Sequence, residues 1–369
     1  PMAPDELAGV ARVAGLATAA EILLEARLLD APTVLQRGLV HRVVADDTLL
    51  VVTERNLVLG LDPRTGEDRW RRQLGPAVRT ADSTRVGDAP GCDLPRGTTG
   101  ITSTPVVDDV THTMYLVSKR YVTGDGGAVT YEVHAMDVRT GVERAGFPVP
   151  LQGFAADNQP QLTFDARWEL QRPGLLLLDG VVYAAFAGHC DRQAFAGWVV
   201  GVDTGGAITS RWAAVSAGPG AGIWQSGGGL VSDGPGRILL VTGNGRSPAA
   251  PIPGDRPPAD LGQSVVRLQV GADRRLSAAD FFTPYDARLL DTRDVDFGSG
   301  GPVALPDLLG TPSHPHLMVA MGKQGIVYLL DRDDLGGVRQ GVGGGNRVVQ
   351  EAGPIGGVWS RPAVWPGDG

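Results

Sequence analysis

His189-Cys190-Asp191 looks like a metal-binding triplet, since all three side-chain types ligate transition metals. Neighbours on a regular strand point to opposite faces, however, so the three could hardly grip one ion from such a strand. Cys92 and Cys190 are the only cysteines; they offer no CxxC site, and they can form one bridge or none. The glycine-rich stretch Gly341 to Gly345 lacks the Lys-Ser/Thr ending of a phosphate cradle and reads as a loop. Five further residues stand out by their setting. Trp224 lies in Ile-Trp-Gln-Ser-Gly-Gly-Gly, where packing between sheets would suit an indole. Asn244, in Thr-Gly-Asn-Gly, suits a left-handed turn. Asp294 and Asp296, in Asp-Val-Asp-Phe-Gly-Ser-Gly-Gly, suit turn or solvated positions. Lys323, in Gly-Lys-Gln-Gly, is one of two lysines, with Lys119, in a chain whose other basic residues are all arginine.

The elements that would position these residues are β-strands. Gly (53) and Pro (27) make up 80 of 369 residues, against a usual share of about 12%, and this favours a turn-dense all-β fold. With 42% hydrophobic residues the chain can bury a large core and is not disordered. A net charge of −8 leaves no basic footprint for nucleic acid. No apolar run approaches the roughly 20 residues of a membrane span.

Two segments differ in period. Up to residue 45 the pattern is helical: Leu7, Val10, Val13 and Ala14 share a face, Thr18 would cap a second helix through Arg27, and Asp30 a third that Gly38 ends. From Asp46 onward strand-like runs follow one another, among them Thr48 to Val52, Leu57 to Leu61, Met114 to Ser118, Val181 to Phe186 and Val265 to Val270. An imperfect repeat orders them. Asp62-Pro-Arg-Thr-Gly66, Asp137-Val-Arg-Thr-Gly141, Asp203-Thr-Gly-Gly206 and Asp331-Arg-Asp-Asp-Leu-Gly336 each follow two strands. The Asp suits a side-chain bond to the turn backbone, and the Gly a positive φ. This predicts a β-propeller of four-stranded antiparallel blades over residues 46–369, its ring open or irregularly closed, with a small helical appendage over 1–45. Trp70, at the end of the first repeat, would dock between neighbouring blades.

The unit carrying Asp62, Thr65, Gly66 and Trp70 resembles the tryptophan-docking repeat of quinoprotein-like propellers. That family includes pyrroloquinoline quinone (PQQ) alcohol dehydrogenases, polyvinyl-alcohol dehydrogenases and non-enzymatic outer-membrane assembly lipoproteins. Gly100-Ile-Thr-Ser-Thr-Pro-Val106 and Gly322-Lys-Gln-Gly-Ile-Val-Tyr-Leu-Leu-Asp331 extend the likeness. Val13-Ala-Gly-Leu-Ala-Thr-Ala-Ala-Glu-Ile-Leu-Leu24, with Gly38-Leu-Val-His-Arg-Val-Val44, instead resembles the C-terminal part of an enoyl-CoA hydratase/isomerase (crotonase). No crotonase activity is expected from that segment, because the family's CoA pocket lies mostly upstream of it.

The quinoprotein resemblance implies roles. Trp224 matches the indole beneath the quinone, Asn244 a calcium ligand, Asp296 the base beside the substrate and Lys323 the cation that contacts the quinone oxygens. Asp191 falls near the family's calcium-binding Glu. Some members carry two adjacent cysteines over the quinone; the corresponding Gly91-Cys-Asp-Leu-Pro-Arg96 has one. The implied function is oxidation of an alcohol or sugar with PQQ and Ca²⁺. The alternative is a non-enzymatic scaffold or binding module with a protein partner. The resemblance places either protein in the periplasm or outside the cell. The start at Pro1-Met2 shows no signal peptide, and the end at Gly369 reads as a cut in mid-fold, so natural termini are not expected here.

Overall fold

The computed structural model describes residues 44–45, 48–84, 92, 94–192 and 194–364. The helical reading of residues 5–37 and the crotonase-like stretch up to residue 43 lie outside these residues. Among the described residues five sheets of four or five strands follow in chain order, each antiparallel between consecutive strands, besides a two-stranded pair of Val78–Arg79 with Thr98–Thr99. The first contains Val44–Ala45, Thr48–Val52, Leu57–Leu61 and Asp68–Gln73. The second contains Val106–Asp108, Thr113–Tyr121, Val129–Asp137 and Val149–Leu151. In the third, Glu169–Leu170 and Leu176–Leu178 both pair with Val181–Gly188, which is followed by Trp198–Asp203 and Ile208–Ala213. The fourth runs Val231–Ser232, Arg237–Val241, Val265–Val270 and Leu276–Thr283, and takes Gly337–Val338 as a parallel outer strand. The fifth contains Val303–Ala304, Leu317–Ala320, Val327–Asp331 and Gln350–Ala352. The described helices are short, Thr80–Thr84 and Ala287–Thr292 besides single 3₁₀ turns, and none is long and apolar enough to cross a membrane.

The short inner strands of successive sheets stand side by side. Val106–Asp108 touches Leu176–Leu178, which touches Val231–Ser232, which in turn touches Val303–Ala304. Sheets whose inner strands neighbour one another in chain order are the blades of a β-propeller. Second strands such as Val181–Gly188 are buried along their whole length, since both faces pack on neighbouring blades. In the outer strand Asp68–Gln73, by contrast, Trp70 is the one buried residue.

The repeat closes as its chemistry requires. Asp62 Oδ1 accepts from the Arg64 and Thr65 amides, and Asp137 Oδ1 from those of Arg139 and Thr140. Asp203 Oδ1 accepts from Gly205 and Ala207, and Asp331 Oδ1 from Asp333. Gly66, Gly141, Gly206 and Gly336 carry the positive φ. The third strands of blades 1 and 3 share a register shift just before this turn. Trp70 seats its ring over Gly60 of its own blade and Gly141 of the next, where added Cβ atoms would come within 2.3 and 2.5 Å of the ring. Its Nε1–H donates to Val138 O at 3.0 Å. At the other end of the chain, Val358 bonds back to Gly322 and Ser299, beside the fifth blade.

Asp280, on the outer strand of blade 4, ties the incoming fifth-blade segment by accepting from Leu335 N at 3.0 Å. Burial pushes its carboxyl up to about 6, against backbone donors and the nearby Arg267. A raised acid pKa means that the native state binds the extra proton, so this group's contribution is present below about pH 4 and lost as pH rises through about 6. Asp280→Asn should therefore remove a fall in stability of about 1.4 kcal/mol per pH unit across that window, read as the difference between urea-unfolding curves of variant and wild type. Parallel pH profiles would contradict this.

Candidate functional site

The second strand of every blade runs in the same sense, so residues just past its end collect on one face of the propeller. Asp191 follows Val181–Gly188, Asn244 follows Arg237–Val241 and Lys323 follows Leu317–Ala320. Trp224 lies on the connection from blade 3 to blade 4, and Asp294 and Asp296 on that from blade 4 to blade 5. Glycines let these loops approach. A Cβ on Gly298 would sit 2.4 Å from Gly243 N, and one on Gly322 would sit 2.5 Å from Phe297 Cα. The interlocked backbone is joined by Lys323 N to Asp296 O at 3.0 Å and Gly243 N to Gly222 O at 2.8 Å.

Asp191, Trp224, Asn244, Asp294, Asp296 and Lys323 meet in one cluster of hydrogen bonds and ion pairs. Asp191 accepts from Trp224 Nε1 on Oδ1 and from Asn244 Nδ2 on Oδ2, each at 2.9 Å. The same Asn244 amide donates to Asp294 Oδ1 at 2.8 Å. Lys323 Nζ lies 2.9 Å from Asp294 Oδ1 and 2.5 Å from Asp296 Oδ1. The Asp296 contact is an ion pair without hydrogen-bond geometry, and that buried oxygen receives no directional donor. Asn244 is no left-handed turn residue; the positive φ falls on Gly245. Gln263, buried, donates to Asn244 Oδ1 and accepts from Phe297 N, each at 2.8 Å, and so orients the amide.

The electrostatics follow from crowding Asp294 and Asp296 onto one ammonium, with Asp191 joined to them through Asn244. Burial pushes the Asp191 carboxyl up to about 6, and the charge of Asp296 adds to this while donors from Trp224 and Asn244 oppose it. Asp296 is only 2% exposed, and burial raises its pKa against the pull of Lys323. Asp294 is exposed; its desolvation is outweighed by bonds from Lys323 and Asn244, which hold it below its ordinary value. Lys323 is raised, since Asp296 and Asp294 overcome its own burial.

Several contributors were not legible in the sequence. Cys92 and Cys190 pair, with Cα atoms 6.0 Å apart, so a disulfide adjoins Asp191 although its two cysteines are 98 residues apart. The apparent triplet separates accordingly. His189 turns into the core, Cys190 into the bridge and Asp191 into the cluster. Among the described residues no three His, Cys, Asp or Glu side chains are already grouped around a metal position. The ring of second-strand positions also extends into blades 1 and 2. Lys119, fully buried, donates from Nζ to Arg167 O and Glu169 O and lies 3.2 Å from His189 Nε2, and burial lowers its pKa to about 7. Glu54 accepts from Gly100 N and Thr102 Oγ1, and burial raises it. Non-glycine residues with positive φ gather here too: Cys190, Asp191, Ala221, Gln225, Ser226, Gln263 and Asp294. Such a concentration is characteristic of binding and catalytic sites.

No protein-family model matches the chain, and no curated protein matches it; the crotonase likeness of residues 7–45 therefore rests on its residues alone. Solved structures do match. The quinohemoprotein alcohol dehydrogenase of Comamonas testosteroni aligns over 84% of this chain and 42% of its own, with a TM-score of 0.51 and 14% identity. The quinohemoprotein alcohol dehydrogenase ADHIIG of Pseudomonas putida HK5 aligns over 84% and 41%, with a TM-score of 0.50 and 16% identity. BamB of Moraxella catarrhalis aligns over 87% and 65%, with a TM-score of 0.45 and 14% identity. The chain spans less than half the length of the two dehydrogenases. At such identities the likeness establishes the propeller fold alone.

The donor set can be tested against the groups this fold carries elsewhere. Three carboxylates and the Asn244 amide oxygen are hard oxygen donors of the kind Ca²⁺ takes, and Asp296 Oδ1 lacks a directional donor. Beside them Trp224 is half-buried, and two glycines let the backbone approach the cluster closely. A Cβ on Gly222 would come within 3.1 Å of its Nε1, and one on Gly243 within 2.8 Å of Asp296 Oδ2. The donor chemistry suits a hard divalent cation; in this arrangement Asn244 Oδ1 accepts from Gln263 and the Lys323 ammonium lies on Asp294 and Asp296, so an ion would take these oxygens in exchange for those partners.

Proposed function

We propose that this chain is the propeller of a quinoprotein-type dehydrogenase that takes up PQQ and Ca²⁺ and oxidises an alcohol or a sugar. The observation that carries this reading is the meeting of Asp191, Trp224, Asn244, Asp296 and Lys323, drawn from three blades, in one cluster. PQQ with its cation supplies the two-electron acceptor and the Lewis acid of such a reaction. Asp191, Asn244 and Asp296 offer oxygens to the ion. Trp224 offers a platform whose tilt is fixed by its bond to Asp191. Asp296 accepts the substrate hydroxyl proton. Lys323 keeps Asp296 ionised beforehand, while burial raises its affinity for the arriving proton. The paired Cys92 and Cys190 suit the oxidising periplasm or exterior.

Reconstitution with PQQ and Ca²⁺, followed by dye-coupled assay on a panel of alcohols and sugars, tests the reading. Asn244→Ala should weaken calcium uptake on the order of 10–100-fold, measured by calorimetry, because it removes a ligand oxygen and the bridge between Asp191 and Asp294. Absence of turnover with every substrate, together with no cofactor uptake, would leave a non-enzymatic scaffold with a protein partner.

A further inference from the structure

Asp191 sits at the tip of a tight turn that its own sequence does not favour. Arg192 N bonds His189 O at 3.2 Å, and the two residues between, Cys190 and Asp191, have φ of 51° and 50°. Two successive positive φ values are the geometry of a type I′ turn, which selects Gly and Asn and disfavours cysteine. Something must hold the turn, and two tethers do, both ending on one short segment. Cys190 is bonded to Cys92, and His189 Nδ1 lies 3.0 Å from Leu94 O. The His189 ring is buried and fixed on its other side by Lys119. Beyond the turn, both Asp191 oxygens are engaged, by Trp224 and Asn244.

We infer that the Cys92–Cys190 disulfide is a positioning element of the cation site, so that cation affinity follows the redox state of this bond. The inference rests on reading the cluster around Asp191 as a cation site. With the bridge closed, the turn aims the Asp191 carboxylate at Asn244 and Trp224. When a dithiol reagent delivers two electrons and two protons to the S–S bond, two thiols form and the reagent becomes a cyclic disulfide. Cys190 is then an ordinary residue in a left-handed position, and the turn relaxes to conformations that carry Asp191 away. Cys92 is buried and Cys190 exposed, so a reagent would meet the bond from the Cys190 side.

The test uses Tb³⁺ alone as a hard-cation probe, with luminescence sensitised by the nearby Trp224 indole. It is titrated into the oxidised protein, into protein reduced with dithiothreitol and then freed of reagent under anaerobic conditions, and into Cys92→Ser/Cys190→Ser. The expected result is binding at least about tenfold weaker in the reduced protein and the double variant, at unchanged circular dichroism, with the redox difference abolished in Asp191→Asn. Equal affinity in oxidised and reduced protein would overturn the positioning role while leaving the cation site intact. No sensitised signal in the oxidised protein would remove the cation reading and the inference with it. If the double variant does not fold, the reduced wild type decides the matter. If reduction itself unfolds the chain, or if the purified protein carries free thiols, the inference is overturned.

Discussion

Asp296→Asn is expected to slow turnover by on the order of 10²–10⁴-fold, with PQQ and calcium uptake largely preserved. The amide has nearly the shape of the carboxylic acid and keeps an oxygen for the ion, but it cannot accept the hydroxyl proton. The surroundings should tolerate the change. Lys323 retains its 2.9 Å contact with Asp294, and Asp296 holds the loop through its backbone oxygen, which accepts from Lys323 N. The effect should therefore appear in kcat, with KM and cofactor affinity little moved. Dye-coupled rates and cofactor titrations on the same preparation separate the two. Full turnover in the variant would remove Asp296 from the chemistry, and loss of cofactor alongside turnover would make it a ligand only.

Trp70→Ala should cost about 3–5 kcal/mol of stability. The ring fills the seam between blades 1 and 2 with Val58, Ile101, Met114, Leu116 and Val138, and the two glycines it covers have no side chain to fall into the gap. The Val138 carbonyl would also lose its indole donor. Trp359→Ala makes a matched control, since that indole is 52% exposed and its loss should change stability by no more than about 0.5 kcal/mol. Urea unfolding followed by circular dichroism reads both. Near-equal effects would mean that Trp70 does not hold the blades together.

What the sequence made legible follows from burial. Thr48–Val52, Leu57–Leu61 and Val265–Val270 were legible because they are rich in apolar β-formers, which these largely buried or half-buried strands need. The outer strand Asp68–Gln73 carries arginine and aspartate on an open face, so no apolar run marks it. Gly337–Val338 joins blade 4 out of chain order, a pairing that no local pattern encodes. The repeat's aspartates were readable because their bonds are local, to amides two to four residues on. The site was readable only through resemblance. Its contacts cross three blades, and Gln263, Asp294 and the Cys92–Cys190 bridge enter it through loops whose approach depends on glycines far apart in sequence. The His189-Cys190-Asp191 run shows the limit from the other side. Its residue types suggested one metal, and a left-handed turn sends the three side chains to three places.

The central claim is that Asp191, Asn244 and Asp296 hold a calcium ion against which PQQ seats over Trp224. The most direct measurement is equilibrium dialysis of PQQ against the purified chain with calcium and with chelator. The account predicts saturable, near-stoichiometric PQQ binding in calcium, loss of that binding in chelator, and recovery when calcium is restored. PQQ binding that is indifferent to calcium, or absent in its presence, would contradict it.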